Sequence, residues 1–321
     1  HSTHSVLPIQ GPPGAGKTFT GSQMICELVR KGRKVGITAV GHKVIANLLE
    51  KVVEAARDQD IPGVLCAHKM DTDGPEGQSV REIGTNEAAL EGLQGGAINV
   101  LGGTPWLWSR PEFMNSVDVL FVDEAGQMSL ANVLACAPAG LSLVLLGDPQ
   151  QLERPQKGSH PEGSDISALA HLLDGRKTIQ DDRGLFLEET WRLHPTICQF
   201  TSEMFYEGRL ASLDGLERQR IDAVAPFAGA GLWNLPVVHE GNQSYSPEEV
   251  EVVSNLVALL TGEGNSWTDR NGVARSLTRE DILCVAHSTI KSIGSKIASP
   301  VSRSERSTSF RASRRRLSSI R

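Results

Sequence analysis

The chain is 321 residues long with a formal net charge of −6 and an ordinary 39% hydrophobic content. That length sets a prior of about two domains, and no apolar run approaches the ~20 residues of a membrane span, so the sequence reads as no membrane protein. Seven arginines against Glu305 in residues 301–321 leave residues 1–300 with 25 basic and 37 acidic side chains, net −12, which excludes a basic coat protein and confines any nucleic-acid contact to a local groove.

The sequence opens at His1 without an initiator Met and reaches a strand-like run and a glycine loop by residue 11, so it reads as cut from a longer chain and carries no signal peptide. Cys26, Cys66, Cys136, Cys198 and Cys284 form no C-x-x-C pair. That pattern argues against a zinc site or disulfide framework and fits a reducing cytoplasm.

Nearly continuous apolar runs at 6–10, 34–40, 117–122 and 141–147 suit parallel strands covered on both faces. Helical patterns at 18–32 and 42–57 lie between them, the second ending before Pro62-Gly63. A polar insert at about 67–98 reads as a small excursion. The expected fold class is therefore α/β, a doubly wound parallel sheet.

Three motifs carry chemistry. In "GPPGAGKT", Gly11, Gly16, Lys17 and Thr18 match the phosphate-cradling loop, with Gly14 inside it, between a strand and a helix as the motif requires. Glycines let backbone N–H groups turn onto phosphate oxygens, and the helix N-terminus adds positive partial charge. Lys17 is expected on the β- and γ-phosphates of ATP, and Thr18 on Mg²⁺. In "VDVLFVDEAGQ", Asp123 at the strand end is expected to hold Mg²⁺ and Glu124 to orient or deprotonate the attacking water. In "LSLVLLGDPQQL", Gln151 offers an amide suited to sensing a γ-phosphate, although "DPQQ" alone is a generic loop.

Together these motifs resemble the ATPase core of superfamily 1 helicases, in the branch of the nonsense-mediated-decay helicase and the Okazaki-fragment nuclease-helicase. The run from "FVDEAGQMSLANVLA" to "LFLEETWRLHP" is similar to the helicase region of bacterial proteins that fuse a RecB-like nuclease domain to such a motor. The resemblance spans about residues 6–286. It implies a RecA-like P-loop NTPase at 1–183 and a partial second RecA-like domain at 184–286, with single-stranded DNA or RNA as partner and a RecB-like nuclease domain possible upstream. Arg192 takes the place of an arginine that reaches the γ-phosphate from the second domain, and Trp191 that of an adenine-stacking aromatic. Thr38 and Thr104 take the places of nucleic-acid backbone contacts. Trp106 and Trp108 are apt for base stacking, with core packing the favoured reading for both.

Near Ser246, "SPEEVEVVSNLVALL" opens as a capped helix, with Pro247 at the first helical position and Glu249 closing a capping box. "DILCVA" (281–286) is expected as the next buried strand. Beyond it the Arg/Ser-rich stretch 287–321 departs from the resemblance. Shifted by one base, residues 305–320 permit G-T-V-D-K-F-Q-G-Q-x-A-P-V-V-I-Y, agreeing with the coupling element of such helicases at fifteen of sixteen positions. Residues 287–321 are thus expected to be a frameshifted, disordered tail. Three functions stay open: an ATP-dependent nucleic-acid motor, poorly active as it stands; an ATP-binding switch or kinase-type P-loop protein; and a non-functional helicase remnant.

Overall fold

The computed structural model describes residues 4–75, 77–151, 166–242 and 246–285. The chain divides into two compact units, His1–Thr190 with Ser202–Leu210, and Trp191–Thr201 with Ala211–Arg321.

The first unit is built on one eight-stranded sheet in which every paired neighbour is parallel. Its elements run β1 (Val6–Gln10), α1 (Lys17–Arg30), β2 (Val35–Thr38), α2 (His42–Asp58), β3 (Cys66–Lys69), β4 (Val80–Ile83), α3 (Asn86–Gln94), β5 (Val100–Gly102) and α4 (Pro105–Trp108). They continue with β6 (Val117–Val122), α5 (Leu130–Cys136), β7 (Gly140–Gly147), α6 (Ala168–Leu173), β8 (Leu185–Phe186) and β9 (Glu189–Thr190). The spatial order is β4-β3-β5-β2-β6-β7-β1-β8.

Adjacent residues of the central strands feed opposite faces, as the two-residue strand period demands. Phe121 and Val100 pack with Ile25, Ile45, Leu48, Leu49 and Val52 of α1 and α2. Their neighbours Leu120 and Leu101 pack with Leu93, Leu107, Trp108 and Phe113. Both faces are covered, so the strands read as unbroken apolar runs rather than alternating ones. Removing one such side chain, as in Phe121→Ala, costs about 3–5 kcal/mol.

Two expectations are corrected here. The polar stretch 67–98 is no excursion, because β3 and β4 join the main sheet at its edge in parallel register, Cys66 facing Val80 and Ile83 facing Lys69. Val80–Ile83 is a half-exposed edge strand, and an edge strand with one wet face carries too few apolar residues to show as a run. The boundary expected at residue 184 also moves. Leu185–Phe186 pairs with Ile9–Gln10 and belongs to the first sheet.

The second unit holds β10 (Ala211–Ser212), β11 (Arg220–Asp222), α8 (Pro247–Leu260), β12 (Ser266–Thr268) and β13 (Ala274–Ser276). Strands β11, β12 and β13 form an antiparallel sheet over a small core of Ile221, Leu260 and Leu277. Parallel strands of a second RecA-like sheet are not among its described residues. The helix α7 (Pro195–Phe205) is divided by chain between the two units. Ser246 caps α8, its Oγ accepting the Glu249 amide at 3.3 Å, and the carboxylate meeting that hydroxyl is Glu248 rather than Glu249. The strand expected at 281–286 does not form over Ile282–Val285, where Leu283 and Val285 are exposed. A strand exists only through a neighbour's hydrogen bonds, and no described strand pairs with this segment. The frameshift reading of residues 287–321 lies outside the described residues.

Candidate nucleotide-binding site

The three motifs fall at the C-terminal ends of three neighbouring strands, β6, β7 and β1. In a parallel sheet this edge is where ligands bind, since helix N-termini gather there.

The phosphate loop leaves β1 after Gln10. Gly11 N–H donates to Gly147 O at 2.9 Å, fastening the loop to the end of β7. Gly14 and Gly16 both take left-handed backbone, at φ 78° and 82°, where a β-carbon is costly. Gly16 is the N-cap of α1 and makes no side-chain cap, so its helix keeps backbone donors for an anion. Lys17 lies folded over the loop with Nζ donating to Gly11 O at 2.7 Å. That fold requires glycine at 11 for space rather than for φ, because a β-carbon there would stand 2.3 Å from Lys17 Cγ.

Asp123 follows β6 and is only 3% exposed. Its N–H donates to Thr38 O at 2.8 Å, and its Oδ1 accepts the Glu124 N–H at 2.9 Å. Burial pushes its carboxyl up to about 6, the neighbouring Glu124 charge adds to the rise, and the Glu124 amide and the Lys17 ammonium oppose it. A carboxylate stripped of water and short of donors suits a cation. Beside it the Thr38 hydroxyl is buried without a hydrogen-bond partner. Half-buried Thr18, in the first turn of α1, and this carboxylate each offer a hard oxygen donor of the kind magnesium takes, an ion that keeps its other positions for water and phosphate. These residues fit Mg²⁺.

Glu124 is a non-glycine residue at φ 55°, a conformation that costs an L-residue roughly 1–2 kcal/mol. The turn is locked by Gln127 N–H on Glu124 O and Ala125 N–H on Leu146 O, both 2.8 Å. Glycines let the Asp-Glu loop and the Asp-Pro-Gln-Gln loop meet backbone to backbone. A β-carbon on Gly126 would come within 2.4 Å of Asp148 O, and one on Gly147 within 2.5 Å of Gly126 N. Gln151 is half-buried, its N–H donating to Asp148 O at 3.3 Å.

The first unit thus brings Gly11, Gly14, Gly16, Lys17, Thr18, Asp123, Glu124 and Gln151 to one sheet edge. Trp191 and Arg192 belong to the second unit, and both are exposed. The nucleic-acid candidates are corrected in part. Thr38 is fully buried, so its hydroxyl is not available to a polymer, because β2 lies in the middle of the sheet. Thr104 is half-buried and caps α4 without a side-chain bond to it. Trp108 is core, its Nε1 donating to Ile37 O and Gly103 O at 3.1 Å. Trp106, for which core packing was the favoured reading, is 84% exposed. In the single turn of α4, Leu107 and Trp108 take the buried side and turn Trp106 outward.

A family model described as AAA domain matches residues 1–163. The chain is 27% identical over 215 residues to the DNA replication ATP-dependent helicase/nuclease dna2 of Schizosaccharomyces pombe, covering 65% of this chain and 15% of that protein. It is 24% identical over 261 residues to the regulator of nonsense transcripts 1 homolog of Drosophila melanogaster, covering 68% of this chain and 21% of that protein. The chain therefore spans under a quarter of the length of either relative. Among solved structures, an Arterivirus nonstructural protein 10 (helicase) in complex with DNA aligns at 15% identity and a TM-score of 0.40, over 65% of this chain and 41% of that one.

Proposed function

The chain belongs to the AAA domain family, and from that premise we propose that it is the ATP-hydrolysing motor core of a helicase or translocase on single-stranded DNA or RNA. The observation that carries this reading is the meeting of the three motif loops on adjacent strand ends, with the buried carboxylate of Asp123 at their centre.

In this reading Lys17 exchanges the Gly11 carbonyl for β- and γ-phosphate oxygens of ATP, while the loop amides and the start of α1 hold the rest of the phosphate chain. Thr18 and Asp123 would hold Mg²⁺, which would neutralise charge developing on the phosphates. Glu124 orients a water and accepts its proton. Gln151 senses the γ-phosphate. The motif resemblance assigns Arg192 to the γ-phosphate and Trp191 to the adenine. Thr104 and Trp106 touch the polymer, the indole by stacking. A P-loop kinase that transfers phosphate to a small molecule rarely needs a water-positioning Glu124, and neither it nor an ATP-binding switch needs the Gln151 and Arg192 elements, which favours the hydrolytic motor over that reading.

The motif resemblance extends the proposal to a larger protein, with a RecB-like nuclease domain upstream on the same chain and a role in nucleic-acid processing; one relative is itself a helicase/nuclease. A remnant of such a protein is the second reading, favoured by the exposed stretch Leu283–Val285, which pairs with no strand among the described residues. The codon register of residues 305–320 supports a one-base loss near Ala286, and the nucleotide sequence across codons 284–290 tests it.

The test of the main reading is Mg²⁺-dependent ATP hydrolysis by the full chain, alone and with single-stranded DNA or RNA. Nucleotide binding that Lys17→Ala abolishes, with slow hydrolysis that one of the polymers accelerates, is the expected result. Unchanged nucleotide affinity in Lys17→Ala overturns it.

A further inference from the structure

Tyr206 belongs to none of the motifs, yet it reaches the centre of the first unit. It lies just past the C-terminal end of α7, is 2% exposed, and packs on Phe186 with ring centroids 6.0 Å apart. Its hydroxyl donates to Asp148 Oδ2 at 2.7 Å, and Asp148 is itself 1% exposed. The other oxygen, Oδ1, accepts the Gln150 N–H at 3.2 Å, and the Asp148 carbonyl accepts the Gln151 N–H. One buried side chain therefore shapes the turn that carries Gln151, and the Tyr206 phenol holds its carboxylate from a distant part of the sequence. Burial, and then the facing Asp148 charge, push the phenol well above its ordinary range, so it stays a donor at any working pH.

The same turn has a second anchor. Gln150 Nε2 donates to Lys177 O at 3.3 Å, and the buried Gln10, directly before the phosphate loop, donates to that carbonyl at 2.9 Å. Gln10 Oε1 in turn accepts the Ile179 N–H at 2.8 Å. Lys177 Nζ donates to Met204 O at 2.9 Å, two residues from Tyr206. The turn is thus set from both sides, through Asp148 and through the Lys177 carbonyl.

We propose that Tyr206 is a positioning residue for the γ-phosphate-sensing turn, its hydroxyl fixing Asp148 so that Gln151 is presented to the nucleotide. This rests on the ATPase reading above. A hydrogen bond to a buried charged acceptor is worth enough to shift such a turn by about tenfold or more in population. The effect belongs to the γ-phosphate alone, because the turn has no part in holding the α- and β-phosphates.

The experiment uses the full chain with Mg·ADP and a non-hydrolysable Mg·ATP analogue. Tyr206→Phe keeps the ring against Phe186 and removes only the donor. It is expected to leave ADP affinity near that of the unmodified chain, to lower the melting temperature only by the few degrees that one lost buried hydrogen bond costs, and to lose the preference for the analogue over ADP by about tenfold. The turnover number falls with it, the loss matches that of Gln151→Ala, and the double variant loses no more than either single one. Asp148→Asn, which leaves one oxygen for the Tyr206 hydroxyl and the Gln150 N–H together and removes the charge, is expected to lose the preference as well. A Tyr206→Phe chain with full preference and turnover overturns the proposal, as does an equal fall in affinity for both nucleotides with a lower melting temperature. If the unmodified chain binds neither nucleotide, the ATPase reading itself fails and the assignment falls with it.

Discussion

His68 Nε2 stands 3.1 Å from His42 Nδ1, joining the middle of β3 to the first residue of α2. The His68 ring is 4% exposed. Burial, and secondarily the proximity of His42, lower it to about 4.

A histidine held neutral in the fold makes stability depend on pH. The unfolded chain takes up the proton near 6.5, while the folded chain resists until about 4. Stability is therefore full above pH 6.5 and declines as pH falls toward 4, by roughly 3 kcal/mol at the end of that window. Melting temperatures measured from pH 7.5 down to 4.5 should drop more steeply for the unmodified chain than for His68→Gln. Parallel curves would remove His68 as the cause.

Glu124→Gln keeps the size of the side chain and removes the base. Mg·ATP binding should persist while turnover falls about 10²–10⁴-fold. Isothermal titration and steady-state hydrolysis on the same preparation check this, and wild-type turnover would place the base elsewhere.

Gly11→Ala tests the phosphate loop without touching a charge. The added carbon would meet Lys17 Cγ at 2.3 Å and Leu187 Cδ1 at 3.1 Å, so the lysine has to leave its arch over the loop. Nucleotide affinity should fall toward that of Lys17→Ala, with the fold intact by circular dichroism. An affinity equal to the unmodified chain would show that the arch is irrelevant to binding.

The two neighbouring tryptophans should separate cleanly. Trp106→Ala is expected to cost single-strand binding about 1–3 kcal/mol and leave stability alone. Trp108→Ala removes a buried ring edge-on to Phe113, 5.7 Å between centroids, and should cost about 3–5 kcal/mol of stability. Fluorescence anisotropy with a labelled oligonucleotide reads the first and chemical denaturation the second. A Trp106→Ala chain that binds the strand normally would take the indole out of the interface.

Much of the first unit was legible in the sequence because its central strands are buried on both faces, which leaves runs such as residues 117–122 that little else produces. The motif loops were legible for a related reason, since tight backbone approach and phosphate contact demand particular residues in fixed order. The strands β3 and β4 were not: β4 is a four-residue edge strand with a wet face, and β3, though buried between its neighbours, is four residues long and includes His68 and Lys69, so neither leaves an apolar run. Trp106 and Trp108 could not be told apart, two positions in one short helical turn having no pattern long enough to assign a face. Thr38 ends a strand, and only the sheet order shows that this end is covered. The link between Tyr206 and Asp148 joins residues 58 apart in sequence, with nothing local in either stretch to announce it.

The left-handed backbone at Glu124 sets the chain's durability against its use. Glycine at 124 would relieve roughly 1–2 kcal/mol of backbone strain, against about 0.4–1 kcal/mol from a looser unfolded chain. A library selected for heat resistance alone should therefore gather glycine or asparagine at 124. Each sturdier survivor would have given up the carboxylate.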